Sequence, residues 1–170
     1  MTSADLLVDA FGRIREVVHR AVEGLTPEEL SFRVDPQANS IAWLVWHLTR
    51  IQDDHVAEVA GSEQVWTGEG WAERFGLPLD ELDTGYGHRP NQVAAVQVKS
   101  GDLLVGYHDA VQERTVEFVE GLNEADLERV VDESWHPPVT LAVRLASVIS
   151  DDLQHAGQAA FVRGVSRRRG

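Results

Sequence analysis

Apolar side chains recur every three or four positions in four long segments, which is the spacing of one face of an α-helix. The segments run from Ser3 to Val22, from about Ser40 to Gly61, from about Ser100 to Leu122 and from about Val139 to Val165. Ser3 can cap the first helix, and Gly24 provides a C-terminal stop. Four amphipathic helices without a clear strand predict an all-α four-helix bundle, formed by a single domain over residues 1–170.

The connections differ in length and composition. The stretch "LTPEEL" predicts a short helix capped by Thr26, and a turn or short helix is expected between Asn123 and Arg129. Residues 62–98 are rich in glycine and proline and contain two tryptophans, so we expect an irregular segment. A loop of that length inside a compact domain is usually functional, and it is expected to help form a pocket.

Composition narrows the classes of function. The formal net charge of −13 disfavours binding to a phosphate backbone, so no nucleic-acid partner is expected. The chain has no cysteine, and any thiol chemistry must therefore use a thiol from outside. The sequence shows neither a signal-peptide pattern nor an apolar run long enough to span a membrane, and we predict a cytoplasmic protein without a membrane partner.

The fourth helix carries acids and an imidazole near its buried side, in the stretch "SDDLQHAGQAA". Asp151 and His155 are four residues apart and project to the same side, while Asp152 flanks His155 from the other edge of the apolar stripe. Buried charge is costly unless it is paired or bound to a cation. A metal site built from inward-facing side chains is one interpretation. An ordinary Asp–His hydrogen bond is the other, and this helix alone favours it.

The second helix contributes two histidines in "WLVWHLTRIQDDHVAE". His55 lies on the apolar stripe, and His47 lies at its edge beside Trp43. The two histidines are about 12 Å apart along the helix axis, so they are not expected to share one ion. Taken alone, each is more often an interior histidine than a ligand. A combination of one of them with residues of the fourth helix would give three protein ligands and an open position, as in catalytic metal sites.

The stretches "NSIAWLVWHL" and "DDLQHAGQAAFVRG" together resemble the DinB-like superfamily of metal-binding four-helix bundles. The resemblance implies a divalent metal ion, most often zinc or nickel, held by His47, Asp151 and His155 and completed by water. A carboxylate in place of a third histidine is similar to the branch that contains mycothiol-dependent maleylpyruvate isomerase. Asp152 is the rival carboxylate, and Asp54 is a candidate for orienting His47.

The same resemblance implies a function in which the metal ion activates a small thiol such as mycothiol, for an S-transferase or isomerase reaction on a small-molecule electrophile. It also implies a homodimer. A metal- or ligand-binding module without turnover and a metal-dependent hydrolase remain alternatives, because they need the same site. No residue is a convincing general base, and His55 and Asp54 are the nearest candidates. His108 is expected at a solvated or edge position, and Arg144 is expected to pair with a surface acid.

Overall fold

The computed structural model describes residues 1–169, which form nine helices and one two-stranded hairpin. The elements in chain order are α1 (Ser3–Val22), α2 (Pro27–Ser31), α3 (Ile41–Ala60), α4 (Val65–Gly68), α5 (Trp71–Phe75), α6 (Pro90–Ala95), α7 (Gly101–Glu120), α8 (Glu124–Leu127), β1 (Val130–Asp132), β2 (Val139–Thr140) and α9 (Leu141–Arg169).

The four long helices pack side by side in a closed ring. Helix α1 contacts α7 and α9, and α3 contacts the same two helices from the opposite side. Their facing stripes form one aliphatic and aromatic core that includes Phe11, Ile14, Leu44, Leu104 and Leu145, all at most 1% exposed. Complete burial of each such side chain contributes about 1.5–3 kcal/mol to folding. The predicted all-α four-helix bundle is confirmed.

The ends of α3 show how local sequence sets the helix boundaries. The Ser40 hydroxyl accepts a hydrogen bond from the backbone N–H of Trp43 at 3.1 Å, which satisfies one of the free donors of the first turn. Gly61 adopts a left-handed conformation with φ of 68° and closes the helix with a hydrogen bond to the Ala57 carbonyl. These caps place both ends of α3 where the sequence predicted them.

The hairpin before α9 was missed in the sequence. Val130 pairs with Thr140 and Asp132 pairs with Val139 in antiparallel strands. Strands of three and two residues are too short to show the alternation by which a strand is recognised. The fourth helix consequently begins at Leu141 instead of Val139, and it continues past Val165 to Arg169.

Residues 62–98 are more regular than expected, because they contain α4, α5 and α6. They cover a side of α3 that faces away from the helical core, and fifteen of the twenty residues of α3 are buried. The single apolar stripe predicted for α3 therefore describes only part of its buried surface. Asp53 illustrates the second side, since its carboxylate accepts hydrogen bonds from the N–H groups of Val65 and Trp66 at 2.9 and 2.8 Å and caps α4.

The expectation for His108 was wrong. Its side chain is completely buried in the bundle, and among the described residues neither ring nitrogen has a hydrogen-bond partner. Burial lowers the pKa of His108 to about 4, so the ring is neutral at pH 7. Apolar and polar residues both occur on this face of α7, so the sequence did not indicate that His108 is buried. In the same described range, no helix is long and apolar enough to cross a membrane.

Candidate metal centre

Helices α3 and α9 lie against each other and bring the three predicted ligands into one cluster. His47, Asp151 and His155 each offer one donor atom, and these atoms lie within 4.8 Å of one another. The Nε2 atom of His155 is 3.6 Å from Oδ1 of Asp151, and the two imidazole rings are 4.9 Å apart between centroids. The tertiary structure thus joins two sequence patterns that are each weak alone.

Hydrogen bonds to the outer nitrogens determine which nitrogen of each imidazole is free. Nδ1 of His47 donates to the carbonyl oxygen of Thr84 at 2.5 Å. Nδ1 of His155 is 2.8 Å from Oε1 of Gln158, which accepts its hydrogen. In both rings Nε2 is then the unprotonated nitrogen, which is the form that binds a metal ion. Burial lowers the pKa of His47 and further favours its neutral form.

The donor set fits a divalent cation. Oδ2 of Asp151 is buried and has no hydrogen-bond partner within the described part of the chain. An unpaired buried carboxylate oxygen costs free energy, which a bound cation would offset. Two neutral imidazoles and one carboxylate are ligands that suit zinc and related transition metals, and three protein ligands leave a position open.

Asp152 occupies a different environment from Asp151. It is completely buried, and neither of its carboxylate oxygens has a partner among residues 1–169. Burial raises the pKa of Asp152 well above the usual range, and the neighbouring Asp151 adds to the shift. The three-donor cluster contains Asp151, while Asp152 is buried in the bundle outside this cluster.

The role predicted for Asp54 is wrong. Oδ1 of Asp54 accepts a hydrogen bond from Nε2 of Gln64 at 2.8 Å, and the carbonyl of Thr84 takes the partnership with His47. A backbone carbonyl from a loop carries no side-chain signal, so sequence reasoning could not identify it. Gln158, which orients His155, lies three residues further along α9, within the stretch that carries the family resemblance.

His55 and Arg144 form a polar group next to the cluster. Nη1 of Arg144 contacts Nδ1 of His55 at 2.6 Å and Oε2 of Glu58 at 3.2 Å, and Nη2 contacts Oδ2 of Asp132 at 3.3 Å. Arg144 therefore pairs with acids, as expected. Burial lowers the pKa of His55, and the positive charge of Arg144 lowers it further. The Nδ1 atom of this candidate base is occupied by Arg144.

Side chains of α3 hold the loop over residues 81–88 against the cluster. The Nε1 hydrogen of Trp43 is donated to His88 at 3.0 Å, and Nε of Arg50 donates to the carbonyl of Asp83 at 3.2 Å. His47, which bonds to Thr84, is four residues after Trp43 and three before Arg50. The three side chains therefore lie on one face of α3. The segment over residues 62–98 thus positions the side chain of His47.

The packing around His47 is close. The indole of Trp43 stacks on its ring with centroids 4.5 Å apart and an angle of 15°. Gly85 adopts φ of 88°, and a Cβ atom at this position would lie 2.8 Å from Nδ1 of His47. Glycine is therefore required for both the backbone conformation and the space. His88 supports Trp43 and is itself bonded to Asp83 at 2.8 Å.

An open cavity of about 560 Å³ adjoins the cluster, and Asp151 lies in its wall. The other walls come from α3, the loop after Thr84, the hairpin and the first turns of α9. Its size is within the range typical of small-molecule sites. Two aromatic side chains stand at this cavity: Tyr86 is 89% exposed and Trp135 is 67% exposed.

A four-helix bundle whose second and fourth long helices present this His–Asp–His cluster is a DinB-like protein. The chain belongs to the mycothiol-S-transferase family, whose model matches residues 6–167. A crystal structure of a conserved protein from Enterococcus faecalis is similar over 96% of both chains, with 31% sequence identity and a TM-score of 0.90. A comparison with curated proteins found no match.

Proposed function

We propose that this protein is a divalent-metal-dependent S-transferase that uses mycothiol or a closely related small thiol. The observation that carries the proposal is the family match over residues 6–167. It is supported by the cluster of three donor atoms that lie within 4.8 Å of one another, because activation of a thiol requires a bound cation. The lack of cysteine in the chain is consistent with a thiol that enters as a substrate.

In this proposal His47 and His155 bind the cation through Nε2 and Asp151 binds it through a carboxylate oxygen, with zinc or nickel as the expected metal. A thiol bound to such a cation is deprotonated near neutral pH, which makes it a nucleophile. Thr84 and Gln158 keep each imidazole in the metal-binding tautomer. The adjoining cavity of about 560 Å³ provides space for the thiol and its acceptor.

The experiment that tests the metal site is elemental analysis of protein purified without chelators. Wild type is compared with His47→Ala and His155→Ala, and His19→Ala serves as the control because His19 lies on α1 against Asp109. We expect about one metal ion per chain in wild type and in the control, and a large loss in the other two variants. Equal metal content in all four proteins would refute the site.

The experiment that tests the reaction follows the thiol. Metal-loaded protein is incubated with mycothiol and a panel of electrophiles, and loss of free thiol is measured. Consumption that requires the metal and disappears in His47→Ala supports the transferase. Cleavage of esters or amides without thiol would indicate the hydrolase. Absence of turnover, together with a large fall in melting temperature on chelation, would indicate a binding module.

We also propose a homodimer that forms through α9. The chain carries a net charge of −13, yet the exposed residues of α9 from Ser150 to Phe161 include no charged side chain. Leu153 is 50% exposed and Phe161 is 66% exposed on this face. Two copies of an acidic chain repel each other least where neither carries charge, so this face is the favoured contact between them.

A further inference from the structure

The wall of the cavity beside Asp151 carries two aromatic rings that are exposed to solvent. Tyr86 comes from the loop held by α3, and Trp135 comes from the tip of the hairpin. Exposed apolar groups that cluster at one open cavity, unlike single ones scattered over a surface, are typical of a ligand-binding site. Ile51 and Val143 add apolar surface to the same wall. Four separate segments, the loop, the hairpin, α3 and α9, thus contribute apolar groups to one open space.

The charged groups of this cavity leave little attraction for an anion. Arg144 is the one lysine or arginine that lines it within residues 1–169. Its two terminal nitrogens are engaged by His55, Glu58 and Asp132, so the two carboxylates outnumber the guanidinium. A divalent cation, the carboxylate of Asp151 and a thiolate would together be electrically neutral. An anionic molecule that entered the cavity would therefore meet a local excess of negative charge.

We propose that this cavity binds the acceptor of the thiol, and that the acceptor is an uncharged molecule with a flat, apolar body held between Tyr86 and Trp135. The inference rests on the proposed S-transferase function and adds the class of its second substrate. Aromatic faces bind flat apolar groups by stacking, and an acceptor between the two rings would lie beside Asp151 and hence beside the thiol.

For an aryl halide acceptor the reaction balances without an oxidant or a reductant. The thiol proton passes to solvent, the sulfur forms a bond to the ring carbon, and the carbon–halogen bond breaks. The halide leaves with the bonding electron pair. The role that the cavity adds to this reaction is orientation of the ring carbon toward the sulfur, together with exclusion of charged acceptors.

A binding experiment tests the proposal without turnover. Naphthaleneacetamide and naphthaleneacetate have nearly the same shape and differ in charge. Their dissociation constants are measured by calorimetry with the metal-loaded, full-length protein in the presence of mycothiol. We expect the amide to bind about five- to tenfold more tightly. Trp135→Ala and Tyr86→Ala should each weaken its binding about three- to tenfold. Asp132→Asn removes one of the carboxylates and should therefore reduce the difference between the dissociation constants of the amide and the acetate.

Leu6→Ala is the control, because Leu6 is an apolar residue of α1 with an exposure of 59% and is absent from the cavity wall. It should leave both dissociation constants unchanged. Equal or tighter binding of the acetate would overturn the proposal. An equal loss in Leu6→Ala, or no loss in both cavity variants, would also overturn it.

A transfer experiment separates this inference from the proposed function. Chlorodinitrobenzene and chlorodinitrobenzoate are compared as acceptors of mycothiol, with rates corrected for the uncatalysed reaction. A higher kcat/KM for the neutral acceptor than for the benzoate, with a smaller ratio in Trp135→Ala, supports both the S-transferase function and the proposed acceptor class. Turnover that favours the benzoate would overturn the inference and leave the S-transferase intact. Selective binding of the amide without any turnover would refute the S-transferase, while the cavity's preference for a neutral apolar ligand would stand.

Discussion

The carbonyl oxygen of Thr84 lies 2.5 Å from Nδ1 of His47 and so directs Nε2 of that ring toward Asp151 and His155. This carbonyl belongs to a loop that the sequence could not place. The next residue, Gly85, lies so close to the ring that a methyl group would not fit without displacement. A shift of this loop would therefore also move the imidazole of His47.

Gly85→Ala is expected to reduce metal affinity and stability together. The new Cβ would stand 2.8 Å from Nδ1 of His47, at a φ of 88° that L-residues rarely adopt. The backbone strain alone costs about 1–3 kcal/mol, and displacement of the ring weakens metal binding about 10- to 100-fold. Metal affinity is measured by competition with a chelating indicator, and stability is measured by denaturant unfolding.

Gly87→Ala separates the two effects. Gly87 has a φ of 71°, but nothing lies within 4 Å of a Cβ atom placed on it. We expect a comparable loss of stability with metal affinity near that of wild type. If Gly85→Ala binds metal as tightly as Gly87→Ala, the contact between the loop and His47 does not control the site.

The two aspartates of α9 should respond differently to amide substitution. Asp151→Asn removes a negatively charged donor from the cluster, and we expect metal affinity to fall by more than the roughly 10- to 100-fold typical of outer partners. Asp152→Asn should retain the metal, because its carboxyl is buried outside the cluster, and burial raises its pKa and so favours the uncharged form. Elemental analysis of both variants checks this, and loss of metal in Asp152→Asn alone would reverse the assignment.

The buried imidazole of His108 should make folding sensitive to acid. Its pKa is about 4 in the folded protein and 6.5 in the reference state, so the unfolded chain binds the proton more readily between these values. Its contribution is therefore fully present above pH 6.5 and decreases as the pH falls toward 4, by roughly 3 kcal/mol. The free energy of unfolding from urea titrations at several pH values measures this loss.

His108→Met supplies the comparison, since methionine fills a similar volume and does not titrate. The variant should lose stability less steeply than wild type between pH 6.5 and 4. His136→Gln is the control, because His136 is exposed in the connection between β1 and β2, and it should leave the wild-type slope unchanged. Parallel curves for wild type and His108→Met would show that His108 does not carry the acid sensitivity.

The proposed dimer predicts that a charge on α9 produces monomers. Leu153→Glu introduces a negative charge on the exposed, uncharged face of this helix, where it would stand near its own copy. Light scattering after size exclusion at micromolar concentration should show a dimer for wild type and a monomer for the variant. Leu82→Glu is the control, because Leu82 is 66% exposed in the loop region. A wild-type protein that is already monomeric would overturn the dimer.

The sequence by itself determined the parts of this protein that depend on neighbours along the chain. Helical periodicity and caps such as Ser40 and Gly61 set the four long helices to within a few residues, because these signals act within one or two turns. The i,i+4 spacing likewise placed Asp151 and His155 on one side of α9. Together with the resemblance to a known family, these patterns identified all three members of the cluster.

Only the tertiary structure decided the features that depend on contacts between distant segments. Packing of the loop and helices produces the hydrogen bond from His47 to the Thr84 carbonyl, the full burial of His108 and the second buried side of α3. Such packing leaves no local pattern in the sequence. Helical spacing by itself left Asp151 and Asp152 as rivals, and the packing of α9 on α3 places Asp151 in the cluster. The cavity between Tyr86 and Trp135 exists for the same reason, since its walls come from segments that meet only in the folded chain.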